Sequence, residues 1–223
     1  MSKGDVSESL MRVVRPVVRQ FKDKYAREAA RHVRAGGHAL VWSTEGRKKA
    51  QLVVPSIDKA DEHDLGYWAF LDIGKFRWNQ PTNGPFRGLS SVSVPRECFD
   101  IVKARAERDA AWEGATHAIE LDCLACGSCC RDNKVILEKE DIARFKAAGR
   151  EDLMRPPYTK KDEGRIVLKL LRSKDCRHLA ADNKCGIYAL RPDACSTFPV
   201  ASECCLYSRQ EELGLYDGIV PGS

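Results

Sequence analysis

The chain has 223 residues, 43% of them hydrophobic, enough to bury the core of one large domain or two small ones. Residues 1–60 carry thirteen Lys/Arg against six Asp/Glu, whereas the whole chain is only +5, so the basic excess belongs to the N-terminal arm. No RNA or DNA motif accompanies it, and a solvated helix face explains it better than nucleic-acid binding. No stretch reaches the roughly eighteen apolar residues of a membrane span, and residues 1–9 lack the basic-then-apolar order of a secretory leader. A cytoplasmic location with no membrane partner is therefore expected. In such a reducing compartment ten cysteines, nine of them between residues 123 and 205, point to metal ligation or redox chemistry instead of disulfides.

Asp5-Val-Ser-Glu8 resembles a capping box, and Leu10, Met11 and Val14 begin an apolar stripe that Pro16 must interrupt. From Pro16 onward Val17, Phe21, Tyr25, Ala29 and Val33 recur every four residues, with Arg19, Lys22, Arg27, Arg31 and Arg34 on other faces and Gly36-Gly37 as the stop. This spacing predicts one amphipathic helix with a basic outside. Strands are predicted at 39–43, 51–57, 67–73 and 89–94, separated by Gly-, Pro-, Asp- and Asn-rich breaks, and together they suggest an antiparallel sheet. Trp42, Tyr67, Trp68, Phe70, Phe76, Trp78 and Phe86 concentrate here and are expected to fill its core. Pro95 opens a helix running to about Glu113; Cys98, near its start, has no ligand at metal spacing and reads as a buried or free thiol. Further on, 134–137 and 165–171 read as strands, 140–148 as a helix closed by Gly149, and Arg155-Pro-Pro-Tyr as a turn. A last amphipathic segment holds Leu206, Tyr207 and Leu213. The class is α+β: an N-terminal helix plus antiparallel sheet over residues 1–115, then a small cysteine-rich, metal-organised α+β domain over 116–223.

The chemistry concentrates in Cys123-Leu-Ala-Cys126-Gly-Ser-Cys129-Cys130. Three of its cysteines form an overlapping C-x-x-C-x-x-C run, which turns the chain tightly enough to present successive thiolates and their N–H groups to one centre. Gly127 lets the turn form. Cys176, Cys185 and Cys195 follow, with Cys204-Cys205 behind them. Sulfur-only ligation narrows the metal to zinc, iron–sulfur or copper(I). The overlapping spacing resembles that of a cubane 4Fe-4S cluster, whose fourth thiolate commonly lies beside a distant proline, and Cys195 between Pro192 and Pro199 fits that place. Structural zinc more often takes two separated C-x-x-C pairs, and zinc or mononuclear iron is the second reading. His178 is close enough to Cys176 to be an alternative ligand; His32, His38, His63 and His117 share no ligand spacing. There is no Ser/His/Asp order, phosphate loop or Rossmann fingerprint.

Two blocks of this sequence resemble the YkgJ-like cysteine-cluster proteins, the CxxCxxCC or zinc- or iron-chelating domain. The first is Cys123-x-x-Cys126-Gly-x-Cys129-Cys130. The second runs from Cys176-x-x-Leu179 through Asn183-Lys-Cys185-Gly-Ile-Tyr188-Ala-Leu-Arg191-Pro192-x-x-Cys195-x-x-Phe198-Pro199. Asp141-Ile142 between them also fits, and Ser196 departs from it, standing where a basic residue is expected. The resemblance implies a metal set of Cys123, Cys126, Cys129, Cys130, Cys176, Cys185 and Cys195. Arg191 and Tyr188 are expected to lock the ligand loop from just outside that set. The expected function is metal binding by a cysteine-ligated centre with a structural or redox role. The alternatives are a metal-dependent, transferase-like enzyme that modifies proteins, which relatives of this group include, and a metal storage or delivery protein. A protein partner or substrate would be recognised by residues 1–115.

Overall fold

A computed structural model describes residues 10–44, 49–61 and 63–217, so the capping box at Asp5–Glu8 lies outside the described residues. The chain begins with two strands, β1 (Leu10–Pro16) and β2 (Val18–Lys22), where the four-residue apolar period predicts helix. Val13, Val14, Val17 and Val18 crowd this stretch, and β-branched side chains lose more freedom in a helix than on a pleated strand. The helix begins only at α1 (Ala26–Arg34), where Ala29, Ala30 and Val33 are buried and the basic residues face outward as expected.

Strands β3 (His38–Trp42) and β4 (Ala50–Val54) follow as predicted, but α2 (Leu65–Asp72) replaces the strand expected at 67–73. Its aromatic-rich Tyr-Trp-Ala-Phe core imitates strand composition. The deciding signal is Asp64, whose carboxylate accepts from the Tyr67 N–H at 2.9 Å and caps the helix. Gly66, Ala69, Phe70 and Ile73 then bury one helical face.

Next come β5 (Ser90–Ser93) and α3 (Phe99–Asp109), the latter entered through a 3-10 turn at Arg96–Cys98. One four-stranded sheet has the order β2-β3-β4-β5. β3, β4 and β5 are antiparallel, as expected, whereas β2 joins β3 in parallel because α1 carries the chain back as a crossover.

α1 covers one face of this sheet, packing on Ala39, Val41 and Val53. α2 and α3 cover the other, where Val18, Leu40, Leu52, Phe70, Val92 and Val102 form the larger core. β3 and β4 are thus buried on both sides, which explains their nearly unbroken apolar sequence. Trp42 meets Phe99 edge-on at 4.6 Å and Cys98 packs against the same core, but Phe76 is 72% exposed and is not a core residue.

β6 (Thr116–Asp122) pairs antiparallel with β1 over its whole length, Leu10 opposite Asp122 and Pro16 opposite Thr116. This ribbon joins strands from either side of residue 115 and delivers the chain to the first cysteine. α4 (Cys123–Cys126) and a 3-10 turn at Ser128–Cys130 hold the cysteine run. They are followed by α5 (Lys139–Ala147), β7 (Thr159–Asp162), β8 (Arg165–Leu168), α6 (Asp193–Ser196) and α7 (Glu203–Leu213). The helix before Gly149 and the strand at 165 agree with expectation. Residues 134–137 lie beside β8 only through an Ile136–Val167 bridge, and the polar Thr-Lys-Lys-Asp of β7 was not foreseen. Val135, Leu137, Phe145, Leu153, Leu168 and Ile187 make a separate small core, and Cys176, Cys185 and Cys195 pack against its edge.

Candidate metal centre

Asp122 ends β6 and caps α4, its carboxylate accepting from the Ala125 N–H at 3.0 Å. Gly127 then takes the left-handed conformation, φ +62°, and reverses the chain so that Cys129 and Cys130 follow in a 3-10 turn. Space also dictates glycine here: a Cβ would stand 3.0 Å from both the Asn183 carbonyl oxygen and Leu179 Cδ1. The two cysteine blocks therefore close on each other at this residue.

Arg131 staples them. Its guanidinium donates to the Gly127 carbonyl at 2.8 Å and to Asn183 Oδ1 at 2.6 Å, and Nε pairs with Asp175 at 3.2 Å. The Cys176 N–H donates to the Cys130 carbonyl at 2.7 Å, so backbone as well as side chains hold the blocks in register.

Cys195 arrives from another direction. The carboxylate of Asp141, only 1% exposed, accepts from the Glu138 N–H at the start of α5 and from the Asp193 N–H at the start of α6, both at 2.9 Å. Arg144 adds an ion pair to Asp193 at 2.8 Å and donates to the Arg191 carbonyl at 3.2 Å. One buried carboxylate thus fixes the loop that carries the remote cysteine, which gives Asp141 a physical role. Ser196 closes α6 by donating to the Asp193 carbonyl at 3.1 Å.

These supports bring Cys123, Cys129, Cys130, Cys176, Cys185 and Cys195 onto the wall of one cavity of about 60 Å³. Its other walls are mainly apolar, with Leu124, Val135, Leu168, Ile187 and Phe198 among them. Arg191 and Tyr188 also reach the wall, the guanidinium lying 3.9 Å over the phenol ring. Cys126 does not line the cavity: its sulfur lies 3.1 Å from Arg209 Nη1 and 3.3 Å from Ser128 Oγ, towards α7. Cys205, buried on the first turn of α7, adds a thiol on that side, while Cys204 is exposed. The His178 ring stacks on Tyr158 at 4.9 Å and also lines the cavity, with Nε2 buried and without a hydrogen-bond partner. Among the described residues no three Cys, His, Asp or Glu side chains stand in metal-holding geometry as they are.

Burial raises the thiols of Cys123 and Cys176, and lifts Cys195 to about 12 and Cys205 to about 12. In each case the negative charge of neighbouring cysteines adds to the effect. Cys129 is the exception. A hydrogen bond from the Cys130 thiol, its own N–H and the Arg191 charge bring it down to about 7, while the same hydrogen bond and burial push Cys130 up. A set of thiols that mutually disfavour ionisation has the chemistry of a soft-cation site; a bound metal would supply the opposing charge. The donor set therefore fits a zinc or iron centre.

Arg209, Glu203 and Asp217 were not foreseen. No local signal could have placed Arg209, which touches a sulfur 83 positions away.

Residues 122–215 match the family model CxxCxxCC, described as "Putative zinc- or iron-chelating domain". Neither curated proteins nor solved structures gave a match to the chain. The cysteines of both blocks lie on one cavity inside the matched segment, so residues 122–215, which continue from the β1–β6 ribbon, are similar in sequence to a zinc- or iron-chelating domain.

Proposed function

We propose that the C-terminal region holds a cysteine-ligated iron–sulfur centre of the 4Fe-4S type, serving a structural or electron-transferring role. The observation that carries this reading is the convergence of six thiols, from both cysteine blocks, on one cavity. Iron–sulfur is favoured over zinc by the overlapping Cys123, Cys126 and Cys129 spacing with a remote cysteine between prolines. Loading would draw the wall cysteines together, with Cys126 joining them from the Arg209 side, and Arg191 and the Arg131-braced turn would offset the negative charge. No carboxylate lines the cavity among the described residues, and apart from His178, Arg191 and the asparagines its wall beside the cysteines is mainly apolar. Those surroundings suit a held centre better than proton-transfer catalysis.

Anaerobically purified protein is expected to contain iron and labile sulfide and to show a broad visible absorption, all reduced at least fivefold by Cys195→Ser. Stoichiometric zinc in a colourless protein would overturn the iron–sulfur reading, and unchanged metal in Cys195→Ser would remove that cysteine from the set.

A further inference from the structure

α7 touches both halves of the molecule, and charged side chains make contacts along it. On its first turn Glu203 accepts from Arg15 of β1 at 2.8 Å and forms an ion pair with Arg105 of α3 at 2.7 Å; all three side chains are largely buried. Arg15 also pairs with Asp109 of α3, whose carboxylate accepts from the Val18 N–H at 3.0 Å. The Cys204 N–H donates to Asp72 at the end of α2 at 3.0 Å. Six residues further along α7, about 9 Å by helical rise, the other contact is made. Asp217 clamps Arg209 through two hydrogen bonds of 2.7 and 3.2 Å, which aims its Nη1 at the Cys126 sulfur.

The inner side of α7 rests on the Ser128–Cys130 turn, with Cys205 and Leu206 buried. Both ends of the helix are therefore held by the N-terminal half, because Arg108 of α3 donates to Gln210 and Arg105 donates to the Asp217 carbonyl at 3.1 Å, and the Arg209 end also reaches a cysteine of the motif.

We propose that α7 couples occupancy of the metal centre to the rigidity of the N-terminal half, with Arg209 as the positioning residue that transmits it. A bound metal ties Cys126 to the other sulfurs, so the Arg209 contact anchors α7 to a fixed point. With the metal removed, that contact ends on a side chain free to change rotamer, and the Arg209–Asp217 pair, whose Asp217 carbonyl accepts from Arg105 of α3, loses its fixed point. Glu203 then holds Arg15 and Arg105 from a looser helix. Both guanidiniums lie in the interior, where an ion pair tolerates little displacement. Loading would therefore be sensed in α3 and β1, which contribute no cysteine to the site.

The proposal rests on the metal reading, and one experiment separates the two. Amide hydrogen exchange is measured on the full chain, metal-loaded and after chelation, with zinc and iron quantified in each sample. Chelation is expected to speed exchange at least tenfold in α7, α3 and β1 as well as in the cysteine loops. In Arg209→Gln, loaded to the same metal content, the α3 and β1 response should fall below twofold. A protein that takes up neither zinc nor iron overturns the metal reading and the coupling with it. Metal binding with α3 and β1 indifferent to chelation in the wild type overturns the coupling alone, as does a wild-type response retained in Arg209→Gln. The wild-type comparison decides the matter even if the variant does not fold.

Discussion

Gly127 shows how one residue can serve a turn and a contact together. Its positive φ is strained for any side chain, and a Cβ would press on the Asn183 carbonyl, which is backbone and cannot swing away. Gly127→Ala is expected to cost about 1–3 kcal/mol and to lower metal content, because Cys129 and Cys130 follow the turn directly. Thermal denaturation with metal analysis checks both, and a variant with wild-type stability would show that the blocks do not close here. The need for glycine was readable from the Cys126-Gly-Ser-Cys129 spacing. The contact with Asn183 was not, since that residue belongs to the other block. Asp141 is similar: the family likeness singled out the residue, and only the fold shows that it fastens α5 to the start of α6.

Among the elements, α2 and the β1–β2 stretch reverse the sequence expectation for opposite reasons. Composition favours strand in Tyr67–Ile73, yet the Asp64 cap and the buried face of Ala69, Phe70 and Ile73 give helix. Asp64→Ala should therefore cost about 1 kcal/mol, seen as a lower denaturation midpoint, and an unchanged midpoint would mean that packing alone sets α2. At the N-terminus the four-residue period of Val17, Phe21 and Tyr25 suits a helix, but strand partners are available: β6 for β1 and β3 for β2. Periodicity within a window contains no information about partners a hundred residues away. β3, β4 and β5, whose own sequence already favours strand, appear near their predicted places.

For the whole molecule, the join between the ribbon, α3 and α7 is a buried charge knot, and it makes stability sensitive to acid. His38 and His117 lie beside it. Burial, helped by the Arg15 charge, pushes His38 down to about 3 and His117 down to about 4 from an ordinary 6.5. Between pH 6.5 and 4 the unfolded chain thus takes up protons that the folded protein refuses. The histidine contribution to stability should be complete above pH 6.5 and fall as pH is lowered, by up to about 1.4 kcal/mol per pH unit for each histidine. Asp72, whose carboxyl is pushed up to about 7 by burial, opposes it by taking up a proton in the folded state. Denaturant midpoints at pH 7 and pH 5 check this against His117→Phe, which keeps a ring to stack on Trp112. The variant should lose less than the wild type, and an equal loss would place the acid sensitivity elsewhere.

The sequence by itself determined the α+β class, three of the four strands of the sheet and the likeness of about residues 120–200 to a cysteine-cluster domain. Those follow from local composition, from alternation and from spacing within short blocks. Only the tertiary structure decided that Leu10–Lys22 is extended, that six of the seven motif cysteines share a cavity while Cys126 turns towards Arg209, and that Glu203 meets Arg15 from 188 positions away. Each of these depends on a partner brought close by folding, and such a partner leaves no mark on the residues around the one it meets.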